Sequence, residues 1–286
     1  MMTIMGKWIR RATISLAIGL GLAVSGGPLH AAPMTLSALI DVPYGDGPRQ
    51  TMDVYFPQGD PVGPVLVMLH GGGWAGGDKA EPSVWRAKAR HWTAKGYVFV
   101  SVSTRLLPDA APREQAVDLA RAVAFVQHTA PEWGADPARI VMMGHSAGAH
   151  VSALAATDPE IRAEAGVRPV RGLVSLDTAA LDVAGLMTSE PATLYHNAFG
   201  PAPEAWDRSS PTARLTPEAP PALLVCSLGW HGACAGAKVF AARAKGLGVP
   251  TRILPIDRTH GQVSAELGTP GDYTDTVDEW IEARVR

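Results

Sequence analysis

Ile140-Val141-Met142-Met143-Gly144-His145-Ser146-Ala147-Gly148 is the stretch that decides the fold. Its first four residues are apolar and do not alternate, which is how a strand covered on both faces reads. The small-residue run Ala147 to Ala156 then reads as a helix. Between the two, Gly144 to Gly148 fits G-x-S-x-G, where flanking glycines let the chain turn sharply and leave the Ser146 hydroxyl exposed above a sheet. The plainer reading of Ser146 is a turn residue that caps the helix.

Similar short apolar runs occur on either side of this stretch, at Val65 to Leu69, Tyr97 to Val102, Leu173 to Leu176, Leu223 to Val225 and Arg252 to Pro255. Helical spacing falls between or after them, at Glu114 to His128, Ala237 to Lys245 and Thr274 to Arg284. This alternation predicts an α/β fold: a right-handed, doubly wound, mostly parallel sheet in one domain. Leu36 to Val42 and Thr51 to Phe56 come first and are expected as antiparallel edge strands. The Pro-rich stretch from Leu181 to Pro221 breaks the alternation. It is expected as a cap-like insertion above the sheet, because its composition cannot build a core alone.

The chain has 286 residues, 47% hydrophobic and 18% charged, enough to bury a sizeable core and too apolar to stay disordered. Its 25 Lys and Arg nearly balance 27 Asp and Glu, so no positive field is available to hold nucleic acid. The expected partner is a small, uncharged or weakly charged molecule. Residues 1–31 read as an export signal peptide: Lys7, Arg10 and Arg11, then an apolar run from Ala12 to Val24, then small residues with a cut near Ala31 or Ala32. That run is shorter than the roughly 20 residues needed to cross a bilayer, so no stable span is expected after processing, and residues 32–286 form the exported periplasmic or secreted domain. Export lets Cys226 and Cys234 pair as a disulfide, with two free thiols packed as small apolar groups as the other reading. A zinc site built from Cys226, His231, Cys234 and His260 is disfavoured by irregular spacing, and no metal is expected.

Reactive groups on open parallel sheets sit just beyond the carboxyl ends of strands. After Val65 to Leu69 comes His70-Gly71-Gly72-Gly73-Trp74, whose glycines let backbone N–H groups approach a negative oxygen. Gly71, Gly73 and Gly76 also satisfy G-x-G-x-x-G, but no acidic residue closes the next strand as a dinucleotide site requires. A serine hydroxyl needs a base, and His260, between the last strand and the last helix, is placed to be that base. His145 and His150 are expected to point elsewhere, and His70 to support the glycine loop. The acid that orients the base usually follows the penultimate strand. No Asp or Glu occurs between Glu218 and Asp257, so that position is vacant. Asp177, ending the strand one earlier, is the first choice, with Asp182 and Asp257 behind it.

These motifs together resemble the α/β-hydrolase superfamily, and within it the carboxylesterases and the feruloyl-esterase-like and hormone-sensitive-lipase-like enzymes that pair HGGGW with GHSAG. The resemblance runs from about Val65 to the C-terminus. It implies Ser146 as nucleophile, His260 as base, and the N–H groups of Gly71, Gly72 and Ala147 as an oxyanion hole. It further implies two-step hydrolysis of a small-molecule carboxylic ester without a cofactor. The vacant acid position keeps a second class open, a catalytically impaired relative that binds an ester or lipid without turning it over. Trp74, Tyr195, Phe199 and Trp206 are read either as the lining of an acyl pocket or as packing beneath the insertion.

Overall fold

The computed structural model describes residues 36–59 and 63–286. The expected export segment lies outside them. In chain order the elements are β1 (Ser37–Pro43), β2 (Thr51–Phe56), β3 (Gly63–Leu69), α1 (Pro82–Ala94), β4 (Val98–Val102), α2 (Pro112–Thr129), β5 (Ala135–His145), α3 (Ala147–Thr157), α4 (Pro159–Ala165) and β6 (Gly172–Leu176). There follow α5 (Val183–Met187), α6 (Thr193–Phe199), α7 (Pro203–Arg208), β7 (Ala222–Ser227), α8 (His231–Gly246), β8 (Thr251–Ile256), α9 (His260–Ala265) and α10 (Asp272–Val285).

The eight strands form one sheet in the order β1-β2-β4-β3-β5-β6-β7-β8. β2 pairs antiparallel with both β1 and β4, and every other pair is parallel. Side chains of β3 alternate between two cores, as a pleated strand requires. Val65, Val67 and Leu69 join the cluster that includes α2, α3 and α8, while Leu66 and Met68 join the one that includes α1, α9 and α10. Both faces are therefore covered, and β3, β4, β6 and β7 are buried along their whole length.

Two expectations about edges need correction. β2 is an interior strand with buried residues from Met52 to Tyr55, since β1 and β4 flank it. Among the described residues only β1 is an edge on that side. At the opposite margin β8 is half exposed throughout, unlike the fully covered strands with which its apolar sequence groups it. The helix α1 carried no clear sequence signal. It begins with Pro82 at its first turn and lays Val84, Ala89 and Trp92 on the sheet.

The stretch 181–221 holds three short helices, α5 to α7, and no independent core. Its Leu181, Val183, Tyr195, Phe199 and Leu215 enter the cluster beneath them. Helix α3 is buried on every side. Gly148 makes that possible, because a Cβ there would lie 2.1 Å from His70 O and 2.6 Å from Leu69 O. Helix and strand backbones meet at that point, and only glycine fits between them.

Candidate active site

The sheet order reverses between β3 and β5, and ligand sites of open α/β sheets form beyond the carboxyl ends of strands at such a point. Leu69 of β3 is level with Gly144 of β5, His145 with Leu176 of β6, and Leu176 with Val225 of β7. The residues that follow these strands therefore emerge side by side at one end of the sheet.

Ser146 is the first of them. Its φ of 57° lies in the left-handed region, uncommon for a residue with a Cβ and a sign of a bend that its surroundings enforce. Its N–H donates to Leu176 O at 2.9 Å, one rung beyond the strand, and its carbonyl accepts from Ala149 and His150 in the first turn of α3. Asp177 repeats the device one strand over, with φ 58° and its N–H donating to Val225 O at 2.8 Å. Neither bend carries its own glycine, so neither φ is legible from residue type.

The three side chains meet. The Ser146 hydroxyl donates to His260 Nε2 at 2.9 Å, and His260 Nδ1–H donates to Asp177 Oδ2 at 2.7 Å. A carboxylate only accepts hydrogen bonds, so its contact with Nδ1 fixes the tautomer and leaves Nε2 free to accept. Asp177 is 0% exposed, and its other oxygen accepts the Ser227 N–H at 2.7 Å. His260 is 40% exposed on its side chain. Asp182 and Asp257, the other carboxylates considered, make no hydrogen bond to the imidazole among the described residues, and Asp257 is exposed.

The glycine loop folds back on itself opposite Ser146. Gly72 has φ 119° and its carbonyl accepts from Ala75 and Gly76, which closes a tight turn. Among the described residues no protein acceptor pairs with the N–H groups of Gly71, Gly72 or Ala147, the last at the start of α3 where helix N–H groups have no internal partner. His70 braces the loop as expected, its Nδ1–H donating to Gly71 O at 2.7 Å. Burial lowers the His70 imidazole below its ordinary value, which favours the neutral ring.

Two other residues touch this machinery. His145 was expected to point away, but its Nε2–H donates to His260 O at 2.9 Å and the two rings lie 4.6 Å apart. It is the last residue of β5, and strand alternation sends it to the same face as Val141 and Met143, toward α9. Burial, helped by the neighbouring His260, lowers the His145 ring to about 4. Trp230 packs edge-on to His260 with centroids 4.6 Å apart, from the loop after β7 where the carboxylate is missing. Cys226 and Cys234 close that loop as a disulfide, which consumes both sulfurs that a zinc site there would need.

His150 does point elsewhere. Its Nδ1 accepts from Trp74 Nε1–H at 3.1 Å and its Nε2–H donates to Ser209 O at 2.7 Å, tying the glycine loop to the insertion. Burial lowers it to about 4, so it stays neutral while it makes both contacts. Trp74, Tyr195 and Phe199 are all buried and packed on one another, with Trp74 5.0 Å from Phe199 and 5.8 Å from Tyr195. They hold the insertion down and do not form an open lining. Trp206 is half-buried and donates to Gly200 O. No helix of the described residues is long and apolar enough to cross a membrane.

Comparison with known proteins agrees with this architecture. The BD-FAE family matches residues 52–180. Esterase LipC of Mycobacterium tuberculosis is 30% identical over 64% of this chain and 48% of that protein. The isoprenylcysteine alpha-carbonyl methylesterase ICME of Arabidopsis thaliana is 35% identical over 39% of this chain and 26% of its own length. The chain thus spans about half or less of the curated relatives it matches. A truncated carbohydrate esterase from gut microbiota superposes with a TM-score of 0.72 at 18% identity, covering 89% of this chain and 98% of that one. The strand order, the serine turn and this superposition show the α/β-hydrolase fold, and the chain is similar to esterases.

Proposed function

We propose that the protein is a serine esterase that cleaves a carboxylic ester through an acyl-enzyme. The observation that carries this reading is the unbroken hydrogen-bond chain from Ser146 Oγ through His260 to the buried Asp177 carboxylate. Ser146 Oγ attacks the ester carbonyl carbon while His260 Nε2 takes its proton. Asp177 holds Nδ1–H and offsets the charge that develops on the ring. The carbonyl oxygen becomes an oxyanion facing the unpartnered N–H groups of Gly71, Gly72 and Ala147. The tetrahedral species collapses, the C–O bond breaks, and Nε2–H protonates the departing alcohol. Water then attacks the acyl-enzyme, giving up a proton to His260, and the carboxylic acid leaves with Ser146 restored. The names of the relatives, an esterase and a methylesterase, support the bond class and leave acyl and alcohol open.

The same reading puts the enzyme outside the cytoplasm, supported by the disulfide and by the basic and apolar start of the sequence. Substituting Ser146→Ala is expected to abolish turnover of a short p-nitrophenyl ester and labelling by a fluorophosphonate probe. Retained labelling would remove Ser146 as the nucleophile. A wild-type chain that binds esters but neither labels nor turns them over would establish the impaired-relative alternative.

A further inference from the structure

Lys88 on α1 is 0% exposed, and no carboxylate among the described residues pairs with it. Its ammonium donates to Ser264 O at 2.5 Å, Ser83 O at 3.1 Å and Ser264 Oγ at 3.4 Å, so each of its three N–H groups has an acceptor. The Ser264 hydroxyl in turn donates to Ser83 O at 3.2 Å. Burying a cation without a counter-charge is unfavourable, and burial pushes the Lys88 ammonium down to about 7. A methionine of similar length would fill the same space without that penalty, but would leave Ser264 O without its donor. The charge is therefore best explained by what its three bonds hold.

Two of those bonds end on α9. This helix has six residues, too few to hold its own shape in water. Its first residue is His260, and Ser264, four positions on, lies on the same helix face. The leading end is fixed by a capping box, with Thr259 and Gln262 exchanging side-chain bonds to each other's backbone. The middle is held by the Tyr273 hydroxyl, which donates to Val263 O at 2.8 Å. The trailing end presents carbonyls that the helix cannot satisfy, where a cation also suits the helix dipole. Lys88 reaches that end from a different part of the chain, 176 residues away in sequence.

We infer that Lys88 is a positioning residue for the proposed esterase: by anchoring the trailing end of α9 it fixes the tilt of the helix, and so keeps His260 Nε2 within reach of Ser146 Oγ. The inference rests on the reading of His260 as the base. A residue with this role acts on the reacting geometry without touching substrate, and displacing a catalytic group by about 1 Å costs on the order of 10²-fold.

The test is Lys88→Met in the full chain, assayed with p-nitrophenyl acetate beside the wild type. Expected are parallel falls of about 10²-fold in kcat and kcat/KM, with KM within about twofold and a thermal midpoint lowered by no more than about 5 °C, so that the protein is still folded at the assay temperature. Fluorophosphonate labelling should slow by the same factor. Lys88→Gln, which keeps a donor, is assayed in the same way and serves if the methionine variant does not fold. Full rate in a folded variant overturns the inference, as does a loss of activity that only follows the loss of folded protein. A wild type inert to both ester and probe brings down the functional reading along with it. An active wild type with unimpaired variants brings down the role of Lys88 alone.

Discussion

The serine side and the histidine side of the site are built on different principles. Ser146 follows a central strand and is fixed by backbone: a ladder bond to Leu176, a helix start, and a glycine loop whose neighbour α3 touches β3 through Gly148. His260 follows the half-exposed edge strand β8 and is fixed by side chains borrowed from elsewhere. Asp177 comes from the end of β6, His145 from β5 and Trp230 from the loop after β7. The backbone side has little tolerance and fails through folding. The side-chain side tolerates replacement and fails through geometry, so single substitutions there should separate activity from stability.

The largest effect that sharpens this contrast is expected at Asp177→Asn. The amide oxygen can keep the Ser227 N–H bond, which turns the amide NH₂ toward His260 Nδ1. The imidazole must then carry its hydrogen on Nε2, where it can no longer accept from Ser146. The corresponding exchange in a serine protease lowers kcat by about 10⁴, roughly 5 kcal/mol in barrier. Steady-state kinetics on a short ester should show that fall, while chemical denaturation shows a stability change of only about 1 kcal/mol. A variant that keeps full rate would remove Asp177 from the mechanism and show that His260 is oriented by other contacts.

Gly148→Ala probes the other side. The added methyl has no flexible neighbour to displace, because its closest contacts are the backbone oxygens of His70 and Leu69. Overpacking against backbone is expected to cost about 3 kcal/mol or prevent folding, read as a lower denaturation midpoint with activity lost in step. Normal stability with activity alone impaired would mean that the serine side also has room to adjust.

How much of this was legible in the sequence follows the same division. The fold was readable because apolar periodicity records which faces are covered, and five of the six continuous apolar runs lie in covered strands, β8 being the exception. Ser146 and the glycine loop were readable because backbone that must turn or approach closely demands glycine, and glycine leaves a pattern. His260 and Asp177 were singled out only by position after a strand, and Asp177 stood among three carboxylates until its 2.7 Å contact with the ring. Trp230, the inward turn of His145 and the reach of Lys88 left no motif, because each is a tertiary contact between ordinary residue types. β2 reads as an edge because its alternating sequence gives no hint that β1 covers its outer side.

The smallest expected effect concerns Trp230, which occupies the loop where a carboxylate is missing. Its indole meets His260 edge-on at 77°, while His145 packs against the same imidazole at a 36° tilt. An aromatic pair of this kind contributes about 0.5 to 1.5 kcal/mol beyond simple burial. Trp230→Ala should therefore lower kcat by roughly threefold to tenfold, with KM for a small ester nearly unchanged. Reducing the bridge between Cys226 and Cys234, which closes this loop, should slow the wild type by a similar factor and add nothing in Trp230→Ala. If reduction still slows the variant, the bridge acts through Ser227, whose N–H holds Asp177, and the histidine side is fixed by backbone after all.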